Sequence, residues 1–303
     1  MNHPASMKIP VILRHAAVRA TQWRPLLLLV LLAWIPTAIA ALPVWRILAE
    51  QLDGSAHAAQ WAQRFHALVF FDLMSRFGLS GSALAGSGIA AAVAFLLLLP
   101  FQHALLVSAT RTDEHLGLGE LLHAGLREYG PMLRMLLVSL IPLGIALGIT
   151  AVVFKGVSRY GEHAILATDV EHLSWLADIV AGLLIVFALA GIEAGRARFA
   201  YDPRKRSAFK AWWRGFKLVF FHPLRGFAIF LGFSVPALIV LAALALVRVE
   251  LPGGGTGAAV GGWVLVQLMA AVFIWAHFAR LSGYFEWTRA AQEAAALPHR
   301  PGA

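Results

Sequence analysis

Three ionisable side chains, His103, Glu193 and His277, stand inside long apolar stretches of this chain. A charge in hydrocarbon is costly without a partner, so residues of this kind mark proton relays, ion paths or headgroup sites where they meet one another. Each is followed by an arginine at the end of its stretch: Arg111 after His103, Arg198 after Glu193 and Arg280 after His277. If the helices that carry them come together, one carboxylate and two imidazoles would converge beneath a ring of Arg111, Arg198 and Arg280. Such a set could relay protons or hold a phosphate-bearing headgroup. The plainer reading is that Glu193 pairs with Arg196 one turn on, while both imidazoles stay neutral and hydrogen-bonded to neighbouring helices. Gln102, Gln267 and Asp178 complete the polar residues of the spans, Asp178 near an outer end.

Little other chemistry is available. Cysteine is absent, which excludes disulfides, thiolate metal sites and thiol nucleophiles. No His-Glu-x-x-His pair, Gly-rich phosphate loop or Gly-x-Ser-x-Gly elbow is present. No catalytic, cofactor-binding or metal-binding residue is assigned, and the expectation is a protein that is not an enzyme and carries no cofactor.

The elements that must position these residues are six stretches long and apolar enough to cross a bilayer: Arg24 to Leu48, Gly88 to Thr110, Met132 to Phe154, Leu176 to Gly195, Arg225 to Val247 and Val260 to Tyr284. Each is near the ~20 residues that a spanning helix requires. With 59% hydrophobic and 14% charged residues and a mean hydropathy of +0.72, the chain has more apolar surface than a soluble core could hide. The expected fold is an all-α polytopic membrane protein, one integral membrane domain over residues 1–303. Of the 25 Lys and Arg residues, all but Arg46, Arg64, Arg76, Lys155, Arg159 and Arg248 fall on the side of the two termini. That asymmetry puts both termini in the cytoplasm. The pI of 10.6 is then a topology signal rather than a nucleic-acid signal. Basic residues before Leu26 to Ile35, followed by Ala38-Ile39-Ala40, also outline a cleavable secretory signal, which would leave five spans. The apolar run continues to Leu48 and is bracketed by Trp23 and Trp45, as in a retained helix.

One unit recurs three times, over residues 11–110, 118–198 and 203–285. In each, a basic or amphipathic segment reaches a proline at the membrane surface (Pro25, Pro131, Pro223), and a second follows inside the span (Pro36, Pro142, Pro236). The implied module is an interfacial helix, a rising helix, an outer loop and a returning helix, in three parallel copies. The sharpest such segment is Asp202 to Phe221. Asp202 can cap it and Pro203 suits a first turn. Arg206, Lys210, Arg214 and Lys217 share one face, and Phe209, Trp212, Trp213, Phe216 and Phe220 line another. A helix of this kind lies among headgroups and attracts anionic lipid at about 1 kcal/mol per cation. Leu118 to Tyr129 is a weaker relative, and His57 to Phe77 is a third candidate surface helix on the outer side. Gly144-Ile-Ala-Leu-Gly148 and Gly191-Ile-Glu-Ala-Gly195 allow close helix approach, within the monomer or across a dimer. Pro252 to Gly257 reads as a flexible link.

The run from Arg196 to Pro223, with Arg-Ala-Arg-Phe-Ala-Tyr-Asp-Pro-Arg-Lys-Arg-Ser at its start, resembles the cytoplasmic connection of a broad group of uncharacterised bacterial six-span inner-membrane proteins. These are similar to the membrane domain fused to some glycerophosphodiester phosphodiesterases. The resemblance implies a bacterial inner-membrane location and six spans. It carries no catalytic residues, and this sequence has no soluble phosphodiesterase domain. Two function classes follow. One is a non-enzymatic membrane protein that handles or senses lipid or moves a small solute, with Arg111, Arg198, Arg206, Lys210, Arg214, Lys217 and Arg280 as anionic-lipid contacts. The other is a scaffold or subunit that binds a membrane protein partner or a second copy of itself. A lipid-phosphate enzyme is a third and weaker reading.

Overall fold

A computed structural model of the protein describes residues 8–52, 55, 67–112, 116–162, 167–201, 207–251 and 256–296. Among the described residues the regular structure is entirely α-helical: α1 (Ile9–Ala20), α2 (Trp23–Leu52), α3 (Ala67–Leu79), α4 (Gly81–Arg111), α5 (Leu118–Gly161), α6 (Ala167–Tyr201), α7 (Ala208–Phe221), α8 (Pro223–Glu250) and α9 (Thr256–Ala296). Six of these, α2, α4, α5, α6, α8 and α9, are long and apolar enough to cross a membrane. They contain the six stretches read from the sequence. The chain is a multi-pass membrane protein, because helices are the one open structure that satisfies every backbone polar group in lipid.

Prolines decide where the surface helices end. Pro223 opens α8 as its first residue, where a missing N–H costs nothing, so His222 breaks the chain and separates α7 from α8. Pro25 likewise sits in the first turn of α2, after the break between α1 and α2 at Thr21. Pro131 does not break its helix. Leu118 to Tyr129 is not a separate surface element but the first turns of α5, which continues through both Pro131 and Pro142 for 44 residues. At 1.5 Å per residue this helix is about 66 Å long, roughly twice the hydrocarbon thickness. Its buried side, Leu121, Gly125, Met132 and Met135, packs against α6 and α7 across the proline, and the helix runs on without interruption. The chain at Pro131 thus differs from that at Pro25 and Pro223, each of which lies in the first turn of a new helix.

The cap of α7 also differs from expectation. Ser207, not Asp202, is the N-cap, its hydroxyl accepting from the Lys210 N–H, and the helix starts at Ala208. Asp202, Pro203 and Arg206 lie outside the described residues, as do residues 57–66 of the outer candidate helix and residues 252–255 of the glycine link. The rest of the outer candidate forms α3.

Contacts divide the chain into two units. The first comprises α1, α5, α6 and α7 with residues 103–111 of α4, 223–235 of α8 and 276–296 of α9. Here small residues let helices approach and large ones fill between them: Ala16, Ala20, Ala194 and Ala197 are buried with Leu105, Met135, Ile229, Phe278 and Tyr284. The second comprises α2, α3, the rest of α4 and residues 236–275. Its helices leave Leu42, Ile89, Leu97, Leu246 and Phe273 exposed, side chains that lipid must cover.

Candidate functional site

In the first unit four helices bring polar groups to one place. Glu193 of α6 is buried and accepts from Arg280 Nε of α9 at 3.0 and 3.3 Å. His277, one turn before Arg280, puts Nδ1 3.2 Å from the same carboxylate. The His103 ring of α4 meets the His277 ring edge-on, with centroids 5.2 Å apart, and Arg280 reaches Ser234 of α8 at 3.1 Å. Arg280 also lies over the Phe230 ring, 4.9 Å from its centroid. His103, Glu193 and His277 therefore do come together. Arg280 is part of the cluster, not of a ring above it.

The arrangement neutralises charge inside an apolar wall. Glu193 and Arg280 form a charge-assisted pair, and Ser234 takes a further guanidinium donor. His277 Nδ1 stands within reach of both the carboxylate and Arg280 Nη2, 3.3 Å away. One nitrogen cannot serve both at once: protonated, it donates to Glu193, and unprotonated, it accepts from Arg280. Glu193 was expected to pair with Arg196. Its hydrogen-bonded partners come from α9 instead, 87 residues along the chain for Arg280, because residue 193 faces that helix, while Arg196 stays near enough to act on the carboxylate only through its charge. No group of three or more His, Asp or Glu residues among the described ones is placed to hold a metal ion.

Arg111 is committed as well. Its guanidinium donates to the carbonyls of Phe199 and Ala200 at 2.9 and 3.0 Å and pairs with Glu128 at 2.7 Å. It thereby satisfies carbonyls in the last turn of α6 that have no intrahelical donor. Arg19 does the same between α1, α4 and α9, donating to Thr110 O at 2.6 Å and pairing with Glu286 at 3.2 Å. The sequence reading missed Arg19, and its only signal was a cation on the apolar side of a short amphipathic helix. Arg111 and Arg280 are thus clamps turned inward, their guanidiniums holding groups of neighbouring helices.

The remaining cations sit at the α6–α7 crossing. Gly215 of α7 lies directly on Gly195 of α6: a Cβ on Gly215 would collide with the Gly195 backbone and stand 2.6 Å from the Ala194 carbonyl carbon. Gly195 in turn faces Trp212, and Gly191 faces Phe216. The Gly191-x-x-x-Gly195 pattern therefore works within the chain. The predicted aromatic face of α7 splits as a result. Trp212 and Val219 are buried with Gly215 against the spans, whereas Phe209, Trp213 and Phe220 remain exposed. Trp213 and Phe216 stack at 5.7 Å, and Lys217 lies 5.5 Å over Trp213. Lys210, Arg214 and Lys217 project outward from a helix that cannot roll. Arg198 of α6 is half-buried beside Arg214, close enough for the two charges to repel, and its buried Nε has no hydrogen-bond partner among the described residues.

Comparison with known proteins found no matching family model, no matching curated protein and no matching solved structure.

Proposed function

We propose that this multi-pass protein resides in a bacterial cytoplasmic membrane with both termini inside, and that it handles or senses lipid by gripping anionic headgroups at the α6–α7 crossing. The observation that carries this reading is Arg198: a guanidinium whose buried Nε has no hydrogen-bond partner among the described residues, held next to the like charge of Arg214. A buried donor without an acceptor is costly, and two adjacent cations repel; a phosphate oxygen between them relieves both. Lys210 and Lys217 extend the cationic strip, while Phe209, Trp213 and Phe220 suit the headgroup–acyl boundary. The fixed geometry favours recognition over loose adsorption, since no ordering of the helix is required on binding.

The test is native mass spectrometry of the full chain released from mild detergent, with phosphatidylglycerol and phosphatidylcholine offered in equal amounts. Phosphatidylglycerol is expected to be retained preferentially. The combined change Lys210→Gln, Arg214→Gln and Lys217→Gln removes about 3 kcal/mol of attraction, or roughly a 100-fold loss of affinity. Equal retention of both lipids, or an unchanged preference in the triple variant, would defeat the reading.

The scaffold alternative has its own support in α5. Gly144 and Gly148 have open space where a Cβ would lie, and Leu137, Leu140, Ile141 and Ile145 around them are exposed. A second helix could pack there, and subunit number in the same mass spectra decides whether one does.

A further inference from the structure

The second unit holds a polar feature that the α6–α7 strip does not use. Arg248, near the end of α8, reaches across to α9 and rests on Gly262: a Cβ there would stand 3.0 Å from the guanidinium Nε and 3.1 Å from Cζ. No acidic side chain among the described residues pairs with it. One turn and a half further along α9, Gln267 accepts a 2.7 Å hydrogen bond from the Trp34 indole. That bond fixes the amide, since the indole nitrogen is a donor only and must face the amide oxygen. The Gln267 NH2 group is left turned the other way. Trp34 and Trp263 meet edge-to-face with centroids 5.5 Å apart, and together with Arg248 and Gln267 they line a groove of about 420 Å³. At Thr37 and Ala41 it joins an almost wholly apolar groove of about 740 Å³ walled by Pro36, Val44, Trp45, Leu48 and Phe95.

We infer that this groove is a binding site for one anionic glycerolipid, with its phosphate on Arg248, an ester carbonyl on the Gln267 amide and an acyl chain along α2. The polar groups offered for recognition, a guanidinium and an oriented NH2, are donors, which fit phosphate and ester oxygens and reject a cation. Gly262 and Gln267 are five residues apart, about 7.5 Å along the helix axis, so the two donors address separate groups of one molecule. A lone small anion would leave the amide and the apolar groove unused. The volumes lie within the range of ligand sites, and the walls are what an acyl chain requires. Free fatty acid shares the anionic head and chain but has no ester, so Gln267 distinguishes the two sources. This site stands on different residues from the cationic strip and does not depend on it.

The experiment reconstitutes the full chain in phosphatidylcholine vesicles carrying a small fraction of diazirine-chain phosphatidylglycerol, diazirine-chain phosphatidylcholine or diazirine fatty acid. Adducts on residues 33–48 are read by mass spectrometry after illumination. Phosphatidylglycerol should label this stretch several-fold more than phosphatidylcholine. Arg248→Gln should reduce labelling to the phosphatidylcholine level, and Gly262→Leu, which displaces the guanidinium, should do the same. Gln267→Leu should weaken labelling by phosphatidylglycerol and leave fatty-acid labelling intact. The triple α7 variant should change nothing here, which separates this site from the headgroup strip. Equal labelling by both phospholipids, insensitive to Arg248→Gln, would overturn the site. Fatty-acid labelling stronger than that of phosphatidylglycerol and indifferent to Gln267→Leu would overturn the glycerolipid assignment and leave a carboxylate on Arg248.

Discussion

Glu193→Ala is expected to destabilise the solubilised protein by about 3–5 kcal/mol, because it strands the Arg280 charge without a counterion in an apolar wall. Among the described residues Glu193 is the one carboxylate paired with Arg280, and the pair joins α6 to α9 with Ser234 of α8 as a third anchor. Removing one member leaves a bare charge, whereas removing both leaves only a smaller, packable space. Arg280→Met alone should therefore cost a similar amount, and the double variant Glu193→Leu with Arg280→Met should recover most of the loss. Unfolding in mixed micelles, read by tryptophan fluorescence, gives all three values. Additive losses would mean that the two residues act separately and that the 3.0 Å contact contributes no coupling.

The second large effect belongs to the α6–α7 crossing. Gly215→Val should prevent assembly of the crossing altogether, since the atoms in its way are the backbone of Ala194 and Gly195, which no rotamer change can move. Overpacking that side chains absorb costs about 1–3 kcal/mol, and backbone collision costs more. Gly195→Val should behave alike, blocked by Trp212 Cα at 2.9 Å. Gly144→Val is the internal control, because open space surrounds that position in the monomer. Size-exclusion profiles and melting temperatures in detergent should fall sharply for the first two and stay near the parent for the third. Loss at Gly144 instead would locate a contact of α5 with another chain.

These effects show which parts of the molecule sequence patterns could and could not reach. Span number was legible because hydrophobic length is additive along the chain: each apolar run needs only its own composition to become a helix. Helix rotation was not, because it depends on neighbours. Arg111 reads as one more cation at a cytoplasmic boundary until the last turn of α6 is placed beside it, whereupon two open carbonyls claim it. Arg280 follows the same rule with Glu193. Trp212 and Trp213 are adjacent and chemically identical, yet one is buried and the other exposed, since only one lies on the side of Gly215. Three small residues, Gly191, Gly195 and Gly215, carried that information, but the pairing of a glycine in a span with one in a surface helix has no signature within a single run of sequence. The continuity of α5 was equally hidden: Pro131 and Pro223 sit in similar local sequence, and packing on both sides of Pro131 decides that one helix continues where the other restarts. The meeting of His103, Glu193 and His277 could be posed from their shared depth, whereas the choice of Arg280 over Arg196 as the carboxylate's partner required the face of each helix.

Arg248 and Gln267 illustrate the converse. Each was visible as a polar residue in or beside an apolar run, and neither had a partner within its own helix. Their relation appears only when Trp34 fixes the amide and Gly262 seats the guanidinium.

All of the proposed lipid chemistry rests on the threading of the chain, and the absence of cysteine makes that threading directly measurable. Single cysteines at Glu162, exposed at the end of α5, and at Lys210, exposed on α7, can be labelled in intact cells and in opened cells with a membrane-impermeant maleimide. The account predicts that Glu162→Cys reacts in intact cells and that Lys210→Cys reacts only once the membrane is opened. Labelling of Lys210→Cys from outside, or of both positions from the same side, would contradict it.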